Sequence, residues 1–111
     1  MLVHRHQHPL VETIYDLTVS DGQHGKGVYT SFPSEEMDRY YSRNGERKTI
    51  LEINDIEIED CTDKVYTYWE AKTKMYNSKK AAFMFRHEGY GIPTGIEILI
   101  TKIEKAKIIP Q

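Results

Sequence analysis

Residues 22–41 read GQHGKGVYTSFPSEEMDRYY: a glycine-rich turn, then a β-branched and aromatic run, then a capped helix. That order decides how the rest of the chain is read. Gly22, Gly25 and Gly27 offer three places for tight, positive-φ backbone, and Val28, Tyr29 and Thr30 carry the side chains that favour strands. Helix onset at Pro33 or Ser34 combines a proline suited to the first turn with a capping hydroxyl. Glu35 and Glu36 then lie where they complement the helix dipole. The spacing predicts a helix over 33–43 with Met37, Tyr40 and Tyr41 on one face, and Asn44-Gly45 supplies an αL stop.

Upstream, residues 2–8 read as a strand ended by Pro9, with Leu2, His4, His6 and His8 on one side and Val3, Arg5 and Gln7 on the other. Alternate histidines on one strand face can converge on zinc or another divalent ion. The cluster contains no Asp, Glu or Cys, and the proline splays His8 away, so no metal is assigned. Residues 10–19 suit a short helix or turn. Downstream, residues 49–59 (TILEINDIEIE) are the clearest strand signal. Their alternation slips between Leu51/Ile53 and Ile56/Ile58, which requires a bulge or break at Asn54-Asp55. Thr62 or Asp63 can cap a helix to about Tyr76 whose stripe of Val65, Tyr68, Trp69, Met75 and Tyr76 reads as core. Residues 79–86 fit helix or strand equally well.

Residues 87–95 (HEGYGIPTG) form a loop, followed by a strand over 96–101 with Ile96, Ile98 and Ile100 on one side and Glu97, Leu99 and Thr101 on the other. A last edge strand is expected at 107–109. Short strands interrupted by helices, with no repeat and no linker, give a single α+β domain over 1–111. Glu97 is the carboxylate of most interest. In an alternating strand it either faces water or, following a flexible loop, serves a site.

The 15 basic and 17 acidic residues nearly balance, so the overall charge gives no reason to expect nucleic acid or an anionic membrane. Their distribution is uneven: residues 1–60 carry six basic and twelve acidic side chains, residues 61–111 nine and five. The basic half is a solvated face or the face a partner reads. The lone Cys61 makes no intrachain disulfide and has no neighbours that would activate it as a nucleophile. No apolar run approaches the ~18 residues of a membrane helix. The first residues lack a secretory segment, so a cytoplasmic location is expected.

Taken together, three motifs resemble the ADP-ribosyltransferase family in its His–Tyr–Glu branch, the poly(ADP-ribose) polymerase and diphtheria-toxin-like proteins. Leu2-Val3-His4-Arg5-His6 lies where that family has a Tyr-His-Gly-Thr strand. Gly25-Lys26-Gly27-Val28-Tyr29 matches its GKGxY turn, with Tyr40 eleven residues on. Glu88-Gly89-Tyr90-Gly91-Ile92 precedes Glu97-Ile98-Leu99-Ile100 as its acceptor loop precedes the catalytic glutamate. The resemblance implies a compact split β-sheet core with short flanking helices and NAD as substrate. It also implies Glu97 as the catalytic residue that holds the ribose 2′-hydroxyl and steadies an oxocarbenium-like transition state. Tyr29 and Tyr40 would sandwich nicotinamide, His4 would bind a ribose hydroxyl, and the backbone at Arg5 would meet the carboxamide.

The motif departs from the family at Arg5, at His6, and at Met37, where a nicotinamide-contacting serine often stands. Gly95 replaces the second glutamate of arginine-modifying relatives, which argues against arginine as acceptor. The implied function is mono-ADP-ribosyl transfer to an intracellular protein, or NAD cleavage. The alternatives are a non-catalytic binding or inhibitor protein of the same fold, and a metalloprotein built on His4, His6 and His8.

Overall fold

The computed structural model describes residues 1–87 and 95–111. Its strands are β1 (Leu2–Gln7), β2 (Ser20–Gly22), β3 (Gly25–Ser31), β4 (Arg47–Ile53), β5 (Ile58–Cys61), β6 (Ala82–His87), β7 (Gly95–Ile100) and β8 (Ala106–Ile108), and its helices are α1 (Glu35–Tyr41) and α2 (Tyr68–Tyr76). The strands form one mixed sheet in the order β5-β6-β7-β3-β1-β4-β8, with β2 folded onto β3 as a hairpin. Only β5 and β6 run parallel.

Both faces of the sheet are covered. On one, Val3, Val28, Leu51, Ile98 and Ile100 are buried against Leu17 and the partly buried Val11, Ile14 and Ile103. On the other, Tyr29, Phe83, Phe85 and Leu99 are buried against Tyr66 and against Ala71 and Met75 of α2. Strand β7 is therefore buried on both faces, Ile98 and Ile100 toward the first layer, Glu97 and Leu99 toward the second. The water-facing alternative for Glu97 is overturned: at 3 % exposure it is a buried acid.

The sheet is nearly parted in its middle. β1 pairs with β4 from Leu2↔Glu52 through Gln7↔Arg47, and β3 pairs with β7 from Val28↔Ile100 to Ser31↔Glu97. Between β1 and β3 the register is the single pair His4↔Ser31. Beyond it the strands separate, and the Arg5 side chain spans the gap, donating from Nη1 to the Tyr29 carbonyl at 2.9 Å and from Nη2 to the Thr18 carbonyl at 3.2 Å.

Several local expectations are corrected. The parity slip at Asn54 is real, but the chain breaks there into a 3-10 turn, with Asn54 capping Ile56, before β5 begins. α2 starts at Tyr68 rather than after Thr62, because Thr67 and Glu70 form a capping box. Its expected apolar stripe divides, with Met75 partly buried against the core and Val65, Trp69 and Tyr76 left 40 %, 72 % and 89 % exposed. Residues 82–87 are strand, closing the helix-or-strand alternative. Of the three glycines in the turn, only Gly25 takes positive φ, at 109°. Gly22 is needed for another reason: a Cβ there would lie 2.7 Å from the Tyr29 ring. Gly45 ends the segment after α1 at φ 149°, ψ 144°, an extended positive-φ geometry and not αL.

Candidate functional site

The parting of β1 and β3 opens a cleft of about 510 Å³ whose walls come from several elements, β2 and the segment after α1 among them. Arg5, His6 and Gln7 line it from β1, Tyr29 from β3, Tyr40 and Tyr41 from α1, and His87 and Glu97 from the strands beyond. Of the residues expected to build a site, the structure brings together Arg5, Tyr29, Tyr40 and Glu97. His4 is not among the lining residues; the β1 imidazole at the cleft is His6.

Glu97 lies in a row of same-face residues that crosses four strands: Phe85, Glu97, Ser31 and His4. A buried carboxylate needs partners. His24, fully buried in the β2–β3 hairpin, donates from Nδ1 to Oε2 at 2.7 Å, and Tyr41 donates its hydroxyl to Oε1 at 3.0 Å. His87 Nε2 stands 3.8 Å from Oε1, too far for a hydrogen bond. His24 is fixed by stacking on Phe85, with ring centroids 4.3 Å apart and planes at 14°. Burial, with Glu97 adding to it, pushes the Tyr41 hydroxyl far above the usual phenol range, so Tyr41 is a standing donor to the carboxylate. Burial holds the His87 imidazole below its ordinary value, against the opposing pull of Glu97.

Tyr29 has a structural job that its place in the glycine motif does not announce. Its hydroxyl accepts N–H bonds from Gly22 and His24, both at 3.2 Å, and donates to the Gly25 carbonyl. Burial pushes its pKa up to about 12. The ring thereby fixes the hairpin that carries His24, and it is only 9 % exposed. Tyr40 is placed differently. Its ring lies edge-on to Tyr41 at 5.1 Å and to His87 at 5.6 Å, with the Arg43 guanidinium 4.0 Å above it. Among the described residues the two members of the expected sandwich line one cleft without touching each other.

The histidines of β1 meet a partner that the sequence did not suggest. Asp38, on α1, accepts from His4 Nδ1 at 2.9 Å and from His6 Nε2 at 3.0 Å, and Lys48 approaches at 3.6 Å. Burial tends to raise the Asp38 pKa, but the hydrogen bonds from His6 and His4 outweigh it and leave the carboxyl below its ordinary value. His8 is exposed and does not join them. The strand geometry thus gives a helix latch instead of a three-histidine ligand set. Among the described residues no group of three or more His, Cys, Asp or Glu side chains is arranged to hold a metal ion.

Arg5 enters as a side chain, not only through its backbone. Burial lowers its pKa, and each of its three nitrogens donates one bond, Nε to Gln7, Nη1 to Tyr29 and Nη2 to Thr18. Cys61 is buried, and burial pushes its thiol up to about 11, in keeping with an unreactive side chain. Of the loop expected over 87–95 to face the acceptor, His87 ends β6 and Gly95 begins β7, and residues 88–94 lie outside the described residues. No helix among the described residues is long and apolar enough to cross a membrane.

His24, Tyr41, His87 and Asp38 were not anticipated as site residues. The one available signal was His24, a lone imidazole set between glycines. No protein-family model, curated protein or solved structure matches this chain.

Proposed function

We propose that the chain is an NAD-dependent mono-ADP-ribosyltransferase acting on a protein, with the cleft between β1 and β3 as its site and Glu97 as its catalytic residue. The observation that carries this reading is a buried carboxylate held by two donors at the wall of a cleft that also presents Tyr40 and Arg5. The strands form one continuous sheet, and the thin seam between β1 and β3, a single register pair, is what supports a split core in this reading.

In the reaction proposed, the bond between nicotinamide and ribose breaks with its electron pair going to the pyridine nitrogen, and positive charge develops on the ribose. Glu97 is fixed in place before that charge appears, so its contribution needs no reorganisation at the moment of reaction. A nucleophile of the acceptor protein then attacks the ribose carbon and loses its proton. Tyr40, the more accessible aromatic ring, takes the stacking role, while Tyr29 supports it from behind as the anchor of the His24 hairpin. The ribose-facing imidazole is His6 rather than His4. Among the described residues its Nδ1 and that of His87 are buried without a partner, so polar capacity is left on two lining residues. Gly95 keeps its small size because Met37 fills the space: a Cβ there would lie 2.6 Å from the Met37 sulfur. The lack of a carboxylate at residue 95 supports an acceptor other than arginine.

One feature favours a non-catalytic binding protein of the same fold instead: both Glu97 oxygens and the Arg5 guanidinium already have partners. Incubating the protein with NAD and measuring free nicotinamide, alongside NAD binding by calorimetry, separates the two. Release with turnover supports transfer or hydrolysis. Binding without release supports the non-catalytic protein, and neither binding nor release removes NAD from the account.

A further inference from the structure

We propose that the outer face of α2 is a docking surface for an acidic, partly apolar segment of a protein partner. Trp69, Thr73 and Tyr76 follow one another at intervals of four and three residues, so they form a single stripe along the helix. That stripe points away from the sheet, since Ala71 is the helix residue buried against it. Trp69 and Tyr76 are thus large rings left in water where the helix has no partner of its own, and Val65, 40 % exposed, continues the apolar surface. A groove of about 610 Å³ runs beside the stripe, with Tyr66, Trp69, Thr73 and Lys74 in its walls.

The charge around this face selects the occupant. Residues 64–80 contain five lysines and one acid, a net +4 within a chain whose total is −2; Lys64 pairs with Glu70 and Lys74 with Glu59, so the excess rests on Lys72, Lys79 and Lys80. Lys72 lies over the Tyr68 and Trp69 rings at 5.3 and 5.2 Å, so cation and aromatic surface are presented together. Exposed tryptophan and tyrosine are the side chains that dominate binding energy at protein interfaces, and a basic rim steers acidic partners toward them. Single-stranded nucleic acid is disfavoured by two details. Residues 64–80 contain no arginine, the side chain that best combines stacking with phosphate recognition. In addition, Glu70 places a carboxylate in the groove wall, paired with Lys64.

This surface adjoins the cleft through the hairpin. Tyr68 donates to Asp21 of β2 at 3.1 Å, and Gly22, next in that strand, lines the cleft. On the reading that the cleft transfers ADP-ribose to a protein, the partner is the acceptor, held beside the site by contacts outside it. The docking itself does not depend on that reading and is measured without NAD.

Trp69 is the only tryptophan of the chain, so its emission reports this face alone. The probes are a twelve-residue peptide of alternating Glu and Leu with one Phe, the same peptide with Lys for Glu, and a twelve-nucleotide oligouridylate. The acidic peptide is expected to shift Trp69 emission to the blue and to saturate. Its affinity should fall about fivefold or more in the double variant Lys72→Glu, Lys79→Glu, two exposed positions at which folding is retained. No shift with the acidic peptide, an equal response to the basic peptide, or a stronger response to oligouridylate overturns the proposal. Nicotinamide release by the same preparation is scored separately, so loss of the docking claim and loss of the NAD reading are different results.

Discussion

Replacing Glu97 by Gln exchanges one buried oxygen for an NH₂ group at nearly constant volume, and the surroundings of Glu97 set how much each property changes. The carboxylate now accepts from His24 Nδ1 at 2.7 Å and from Tyr41 at 3.0 Å. In the variant the amide oxygen can keep Tyr41. The NH₂ faces His24, whose Nδ1 can become the acceptor by moving the ring proton to Nε2, a nitrogen with no other partner among the described residues. Two charge-assisted bonds become neutral ones, a loss of about 1 kcal/mol each. The relief of burying an amide in place of a carboxylate opposes that loss with a similar magnitude. The net change in stability is therefore within about 2 kcal/mol, and the protein remains folded at assay temperature. Catalysis has no such compensation. Removing a preorganised group that faces developing charge costs about 10²–10³ in rate, or about 2.7–4 kcal/mol. Single-turnover nicotinamide release, NAD calorimetry and thermal unfolding measure the three quantities on one preparation. NAD affinity is expected within about tenfold of the parent, since the carboxylate acts mainly in the transition state. A folded Glu97→Gln protein releasing nicotinamide at more than about a tenth of the parent rate would refute the assignment of Glu97.

Tyr40→Ala should weaken NAD binding by about two- to twelvefold, the equivalent of an aromatic stacking contact, with unfolding little changed; calorimetry with an unchanged Kd rejects the stacking role. Tyr29→Phe, by contrast, removes the hydroxyl that binds Gly22, His24 and Gly25 and should lower stability by about 1–3 kcal/mol in denaturant titrations. Phe85→Ala empties a fully buried site and frees the His24 ring, for an expected loss of about 3–5 kcal/mol; a loss under about 1 kcal/mol would mean that Phe85 is not the support described. Stability should also depend on acid in two windows. Burial depresses the His87 pKa in the folded protein, so the unfolded chain binds its proton first, and the His87 contribution is whole above pH 6.5 and declines below it. The depressed Asp38 carboxyl adds a second decline as pH falls below 3.8. Melting temperature across this range should lose the first decline in His87→Phe, and an unchanged profile there would reject His87 as its source.

Pattern and capping made a strand near residues 2–8, α1 and the break at Asn54 legible, because each is a short-range choice, whereas residues 20–22, read as a turn, are strand β2 paired with β3. What escaped depended on the second layer. Glu97 alternates with isoleucines just as an exposed residue would, and only the cover provided by α1, Tyr41 and His24 makes it a buried acid. The outward turn of Trp69 and Tyr76 was hidden likewise, since helical spacing gives a stripe but not the side on which the sheet lies. Within the site, Arg5, Tyr29, Tyr40 and Glu97 line one cleft. His4 is taken by Asp38, a pairing between residues 34 apart in sequence that no local pattern encodes.

The parting of β1 from β3 has a consequence for how the cleft admits anything. A ladder of backbone bonds has one spacing, but beyond the pair His4↔Ser31 the Arg5 side chain reaches across from β1 to the Tyr29 carbonyl of β3 and to the Thr18 carbonyl. Arg5 is an adjustable strut: letting go of the Tyr29 and Thr18 carbonyls exposes groups that water or a ligand's hydroxyls can satisfy at once. The aperture of the cleft is accordingly a property of residue 5. Lysine there would bridge with one donor group instead of a fork, and methionine would leave the gap to solvent, so changes at this one position should tune entry while the strands on either side stay in register.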